Sequence, residues 1–303
     1  MKKTCHVFCP IILLILALAL TTAAQTTASA PEHKQIEIYG QKIHYLEAGP
    51  GPVIILLHGL GGDTTNWAAT VPALAPKYHV YVPDQIGFGQ SDKPIMNYRV
   101  ATLVEFLNQF YKKLGIEKAT VVGNSLGGWA AASFAISYPE KIDKLVLVSA
   151  AGYTSKRWGG PELNKELYSL LNPSTTADLK RTMSLVFYNK ALVSDQAVEM
   201  FFTSKLKKGD SYTINAFIES VLRGEDYIDD KVKTIKAPTL LIWGREDGLT
   251  PVGIAEAYVQ DIPGAQKVII EKCGHVAQLE KPAEFNAALL KFLEGGSTAQ
   301  MKK

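Results

Sequence analysis

Six short apolar runs, separated by longer amphipathic stretches, constrain this chain more than any other feature. They are Val53–Leu57, Val80–Val82, Thr120–Val122, Leu145–Val148, Leu240–Trp243 and Val268–Ile270. Each has strand length and lacks polar alternation, so each reads as a strand buried on both faces. Ahead of them, Ile36, Ile38, Ile43 and Tyr45 alternate with polar residues around Gly40-Gln41, the pattern of an antiparallel hairpin. Helical patterns fill the gaps. Residues 98–114 put Leu103, Phe106, Leu107, Phe110 and Leu114 on one stripe, with Gly115 as the stop. Residues 126–138 are Ala-rich and end before Pro139. Residues 282–293 open with Pro282 and carry Phe285, Leu289, Leu290 and Leu293 before Gly295. This alternation predicts an α/β fold: a mostly parallel eight-stranded sheet flanked by helices.

The alternation stops between 152 and 233. That stretch has helical patterns rich in Tyr168, Met183, Phe187, Met200, Phe201 and Phe217, and is too long for a loop, so it reads as an inserted helical cap. The predicted organisation is a signal peptide over 1–24, a flexible lead-in over 25–34 and the first part of the core over 35–151. The cap over 152–233, the second part of the core over 234–295 and a flexible tail over 296–303 complete it.

The signal peptide follows from Lys2 and Lys3, the apolar stretch Val7–Leu20 and the small residues to Gln25, with cleavage expected after Ala24. The apolar stretch is shorter than the roughly 18 residues that span a bilayer, so no stable membrane anchor is expected after its removal. An exported protein, periplasmic or secreted, is the expectation. Lys2, Lys3, Cys5 and Cys9 leave with the peptide, accounting for two of the three net positive charges and two of the three cysteines. The remaining near-neutral chain, with Cys273 as its lone thiol, has no disulfide scaffold and no basic cluster to suggest a nucleic-acid partner. A hydrophobic fraction of 47% excludes a disordered chain.

Gly123-Asn124-Ser125-Leu126-Gly127-Gly128 carries G-x-S-x-G between a strand and a helix. A sharp turn there lifts a serine hydroxyl above the sheet at a helix N-terminus, where free N–H groups favour negative charge. His58-Gly59-Leu60-Gly61-Gly62 directly follows the strand Val53–Leu57. The Leu60 and Leu126 N–H groups are the candidate oxyanion donors. Neither glycine loop is a dinucleotide site: G-x-G-x-x-G fails at Thr64 after Gly59 and Gly61, and at Asp92 after Gly87 and Gly89.

A serine nucleophile needs a base, and the base needs an orienting carboxylate. His275 follows one late strand and Asp247 the other, with Glu246 the rival acid. Asp247 precedes Gly248, which lets the loop turn inward. The order Ser125, Asp247, His275 fits this arrangement. Asn124 and Trp129 beside the serine, and Val276 after the histidine, are candidate substrate contacts. No H-E-x-x-H or C-x-x-C spacing occurs, so neither metal nor cofactor is expected.

Together with Pro83-Asp84-Gln85-Ile86-Gly87-Phe88-Gly89-Gln90-Ser91-Asp92, these motifs resemble the α/β-hydrolase fold superfamily over residues 36–294. The resemblance implies Ser125 as nucleophile, His275 as base, Asp247 as its partner and a helical cap after the sixth strand. Gly-Asn-Ser-Leu-Gly-Gly and Cys273–Glu280 are similar to the carbon–carbon bond hydrolases of aromatic ring-cleavage pathways. Those enzymes carry Trp where this chain has Val276, and a cap Arg for the substrate carboxylate; here Arg181, Arg223 and Lys205 are unaligned candidates. The expected activity is cleavage of a small-molecule carboxylic ester bearing an apolar group, through an acyl-enzyme. Carbon–carbon hydrolysis with the same triad is one alternative, and a non-catalytic small-molecule binder is another.

Overall fold

The computed structural model describes residues 30–159 and 165–295; the expected signal peptide and the expected flexible tail lie outside the described residues. The chain opens with an antiparallel pair, β1 (Glu32–Ile38) and β2 (Gln41–Ala48), then β3 (Val53–Leu57) and a short helix α1 (Val71–Leu74). Next come β4 (His79–Pro83), α2 (Val100–Leu114), β5 (Ala119–Asn124), α3 (Leu126–Ser137) and β6 (Ile142–Val148). Among the described residues five α-helices follow before the sheet resumes: α4 (Ser155–Trp158), α5 (Lys165–Leu170), α6 (Thr176–Val186), α7 (Asp195–Lys208) and α8 (Ser211–Leu222). The last elements are β7 (Thr239–Gly244), α9 (Gly253–Asp261), β8 (Gln266–Ile270), α10 (Ala277–Glu280) and α11 (Pro282–Leu293).

The eight strands form one sheet in the order β1-β2-β4-β3-β5-β6-β7-β8. β1 pairs antiparallel with β2, and β2 with β4; every later pairing is parallel. All eight predicted strands are present. β1 starts at Glu32, so residues 32–34, expected in a flexible lead-in, are in the sheet instead. Their register, Glu32 opposite Glu47 through Lys34 opposite Tyr45, is reinforced by a Lys34–Glu47 ion pair at 3.0 Å. The hydrophobic alternation that marks β1 begins only at Ile36, which is why its polar end was not legible.

Side chains of the buried strands point to opposite faces by turns. Ile55, Leu57, Val121, Leu145, Leu147, Leu241 and Trp243 pack with α2, α3 and α9. Ile54, Leu56, Val122, Val146, Val148, Leu240 and Ile242 pack with α1 and α11. Of the predicted stripe of α2, Leu103, Phe106, Leu107 and Phe110 are buried and Leu114 is half-buried, and the helix ends at Gly115 with φ 66°. Between β6 and β7, Leu179, Met183, Phe187, Val193 and Val198 form a separate small core together with Val276. The segment over the sheet thus holds itself together and also rests on the loop after β8.

Candidate active site

The turn from β5 into α3 places Ser125 at φ 57° and ψ −118°, a left-handed backbone that a non-glycine residue adopts only under restraint. Main-chain bonds supply the restraint. Ser125 N–H donates to Val148 O at 3.0 Å, while Ser125 O accepts from Trp129 N–H at 3.0 Å and Ala151 N–H at 3.2 Å. The flanking glycines are there because the backbone closes on itself: a Cβ at Gly123 would lie 2.2 Å from Gly127 O, and one at Gly127 2.4 Å from His58 O. These contacts fix the turn that presents the hydroxyl.

His275, on the loop after β8, is buried. Its Nδ1 lies 2.9 Å from Asp247 Oδ2 and 3.1 Å from Oδ1. Asp247, on the loop after β7, also accepts from the N–H groups of Leu249 and Thr250, each at 2.9 Å, and faces the Thr250 hydroxyl at 2.8 Å. Burial pushes its carboxyl pKa up, but His275 and those N–H groups outweigh it and hold it below the usual range. Asp247 is therefore an anion poised to fix the imidazole with Nδ1 protonated, leaving Nε2 as the basic atom. The rival Glu246 faces away: exposed, it accepts from the Cys273 N–H at 2.9 Å and braces the loop. Sequence adjacency left the two acids open, and the hydrogen bonds separate them.

Gly59 to Gly62 form a tight turn closed by Gly62 N–H to Gly59 O at 3.1 Å. Among the described residues, no protein acceptor takes the N–H of Leu60 or of Leu126. The two candidate oxyanion donors are thus unspent. A Cβ at Gly59 would touch Ser125 Cβ at 3.0 Å, so the turn lies directly against the serine.

His58 has a role that the sequence did not reveal. Its Nε2 accepts from Gln85 N–H at 3.0 Å, so Nδ1 carries the proton and donates to Gly59 O at 2.8 Å. Burial pushes its pKa down, keeping it neutral. Buried Asp84 accepts from Thr64 N–H at 2.7 Å and Gln90 N–H at 2.8 Å and pairs with His44, tying the turn to β2 and to the loop after β4.

Ser125, His275, Leu60 and Leu126 all line one cavity of about 660 Å³ roofed by the helices between β6 and β7. Leu179, Met183, Phe187 and Phe217 give it apolar walls, and among the described residues Lys205 and Lys208 bring cations to it and Asp63 and Asp210 carboxyl groups. Asn124, Trp129 and Val276 line it as well. The Asn124 amide, however, is spent on Val148 O at 3.1 Å and His275 O at 3.2 Å, where it ties the ends of β5 and β6 to the loop after β8. Trp129 donates to Asp226 O at 3.0 Å and stacks on Tyr227. Of the three candidate cap cations, only Lys205 reaches the cavity: Arg181 pairs with Asp178 and Arg223 with Glu225, both in solvent.

The sequence profile described as alpha/beta hydrolase fold matches residues 52–282. The chain belongs to this α/β-hydrolase fold family. Among its curated relatives, a 2-hydroxy-6-oxononadienedioate/2-hydroxy-6-oxononatrienedioate hydrolase of Paraburkholderia phymatum is 32% identical over 269 residues, covering 83% of this chain and 91% of the relative. A 2-hydroxy-6-oxo-6-phenylhexa-2,4-dienoate hydrolase of Burkholderia cepacia is 30% identical over 264 residues, covering 84% and 92%. Among solved structures, the meta-cleavage product hydrolase of Pseudomonas fluorescens IP01 superposes with a TM-score of 0.75 at 29% identity, covering 86% of this chain and 97% of that one. A membrane phospholipase A, described as a bacterial virulence factor, reaches the same TM-score at 29% identity, covering 88% and 86%. In this α/β hydrolase, the serine turn, the glycine turn and the histidine held by Asp247 thus meet at one cavity on the family's scaffold.

Proposed function

We propose that this α/β hydrolase cleaves the carbon–carbon bond beside a ketone in a meta-cleavage type substrate, in preference to the carboxylic ester expected from the sequence. The observation that carries the reading is Lys205 in the wall of the cavity that holds Ser125 and His275. Among the described residues its ammonium hydrogen-bonds to two neutral acceptors, Asn172 Oδ1 at 2.5 Å and Ser211 Oγ at 3.2 Å, while the Asp210 carboxyl in the same wall favours its charged form against burial. Such a half-buried cation suits the carboxylate of a 2-hydroxy-6-oxo dienoate, the substrate class named for the curated relatives.

In this reading His275 takes the Ser125 proton as Oγ adds to the ketone carbon. Leu60 and Leu126 N–H hold the oxyanion. The carbon–carbon bond breaks only if its electron pair has a sink, which the keto tautomer of the dienoate provides as a conjugated enolate. That carbanion takes the proton from His275, and water activated by His275 then hydrolyses the acyl-enzyme. Lys205→Met tests the assignment: KM for the anionic dienoate should rise at least tenfold while turnover of a neutral p-nitrophenyl ester stays within twofold. Equal effects on both substrates count against it.

Ester cleavage is the second reading, supported by the apolar walls of the cavity and the phospholipase likeness. Export is proposed on the segment 1–24 alone. Protein recovered from the periplasm or medium should begin at Gln25, and active protein found only in the cytoplasm with Met1 retained counts against export.

A further inference from the structure

The glycine turn that carries Leu60 is clamped from two sides, and the two clamps come from different parts of the fold. On the sheet side, His58 donates to Gly59 O at 2.8 Å. On the other side the clamp is Lys208, the last residue of α7. Its ammonium donates to Gly61 O at 3.1 Å and pairs with Asp63 Oδ2 at 2.7 Å. Lys208 and Asp63 side chains are only 20% and 14% exposed, so this pair is poorly screened compared with a surface bridge.

Asp63 is itself built into the turn's exit. Its other oxygen accepts from Thr65 N–H at 2.8 Å, and its own N–H donates to Asn66 Oδ1 at 2.8 Å, a reciprocal cap on the short helical turn Thr64–Trp67. Burial pushes the Asp63 carboxyl up, but Lys208 and the Thr65 donors outweigh it and keep it ionised. One ammonium therefore grips a carbonyl inside the turn and a carboxylate just beyond it. Three of the five residues from His58 to Gly62 are glycine, so the turn has little side-chain packing to hold it.

We propose that Lys208 is a positioning residue for catalysis: from the roof of the cavity it holds the Leu60 N–H in line with the developing oxyanion. It touches no reacting atom and acts through Gly61 and Asp63. Seating α7 over the site is then part of building the oxyanion hole, which makes the roof more than a substrate selector. The inference rests on the reading of Ser125 and Leu60 given above.

The test compares wild type, Lys208→Met, Lys208→Arg, Asp63→Asn and the Lys208→Met/Asp63→Asn double variant, with p-nitrophenyl butyrate as substrate. Active protein is counted by end-point fluorophosphonate titration, so that unfolded molecules drop out of kcat. Lys208→Met should lose kcat by about 10–100-fold, short of the 10²–10³ typical when an oxyanion donor is removed outright. KM should stay within about twofold, the sign of an interaction realised in the transition state. Lys208→Arg should recover most of kcat, and the double variant should be no worse than either single one. Wild-type kcat in Lys208→Met, a loss confined to KM or to the active titre, no rescue by Arg, or additive losses in the double variant would each overturn the proposal. A wild type that neither turns over ester nor labels at Ser125 fails earlier, on the nucleophile assignment itself.

Discussion

The main-chain N–H of His275 donates to the carbonyl of Val186 at 2.7 Å. Val186 ends α6, so the loop carrying the imidazole is bonded directly to the segment that roofs the cavity. The acid loop is stitched to the same place by Gly248 N–H to Leu185 O at 3.3 Å. Glu280 completes the junction by accepting from Gly274 N–H at 2.7 Å and Asn189 N–H at 2.5 Å. A Cβ at Gly274 would sit 2.2 Å from Val186 O, a backbone atom that cannot swing aside. Gly274→Ala should therefore cost about 1–3 kcal/mol of stability, the scale of core overpacking. It should also lower kcat/KM more than tenfold in the molecules that remain folded. Urea denaturation with active-site titration measures both, and wild-type behaviour in both would refute the close contact.

The two adjacent acids should separate sharply on substitution. Asp247→Asn removes the anion that selects the His275 tautomer, and kcat should fall by about 10⁴, as expected when a triad carboxylate becomes an amide. Glu246→Gln should cost less than tenfold in kcat, because among the described residues its carboxylate accepts a hydrogen bond from the Cys273 N–H and not from His275, and Glu246 is exposed. Steady-state kinetics of the two variants side by side decide the matter.

His58 makes stability depend on pH. Its pKa is lower folded than unfolded, because burial disfavours the imidazolium. Between those two values the unfolded chain binds the extra proton, so stability rises with pH. Acidification below about 6.5, the ordinary histidine value, should then weaken the fold by at most about 1.4 kcal/mol per pH unit from this group. Urea midpoints from pH 7 to 5 should fall less in His58→Gln than in wild type. Nitrogen-15 spectra of the wild type should show the neutral Nδ1–H tautomer of His58 at the ordinary histidine value of about 6.5; an imidazolium that forms at or above that value would contradict the assignment.

Cys273 lies two residues before His275 yet should take no part in the chemistry. Its thiol is fully buried, and burial pushes its pKa up to about 12, so the nucleophilic thiolate is scarce at neutral pH. Native protein should resist iodoacetamide at pH 7.5 and be labelled once unfolded. Cys273→Ala should keep kcat within about twofold and lose about 1 kcal/mol of stability from the smaller buried side chain. Rapid labelling of the native protein with loss of activity would overturn this.

The sheet was legible because each buried strand is an uninterrupted apolar run, and the serine turn because its glycines are dictated by backbone closure within a few residues. The polar pairings that aim the site were not. Lys208 and Gly61, or His58 and Gln85, are distant in sequence, and the motifs that hold Gly61, His58 and Gln85 do not say which residue each one bonds. Lys205 was one of three equivalent cations until the fold turned Arg181 and Arg223 toward solvent. The choice between Asp247 and Glu246 likewise needed three dimensions, since the loop after β7 could present either carboxylate to the imidazole.

The central claim is tested most directly by offering the protein 2-hydroxy-6-oxo-6-phenylhexa-2,4-dienoate and p-nitrophenyl butyrate and quantifying benzoate and nitrophenol by chromatography. Carbon–carbon hydrolysis at Ser125 predicts benzoate release with a kcat/KM above that for the ester, and neither product from Ser125→Ala. Turnover of the ester with no benzoate formed would contradict the claim.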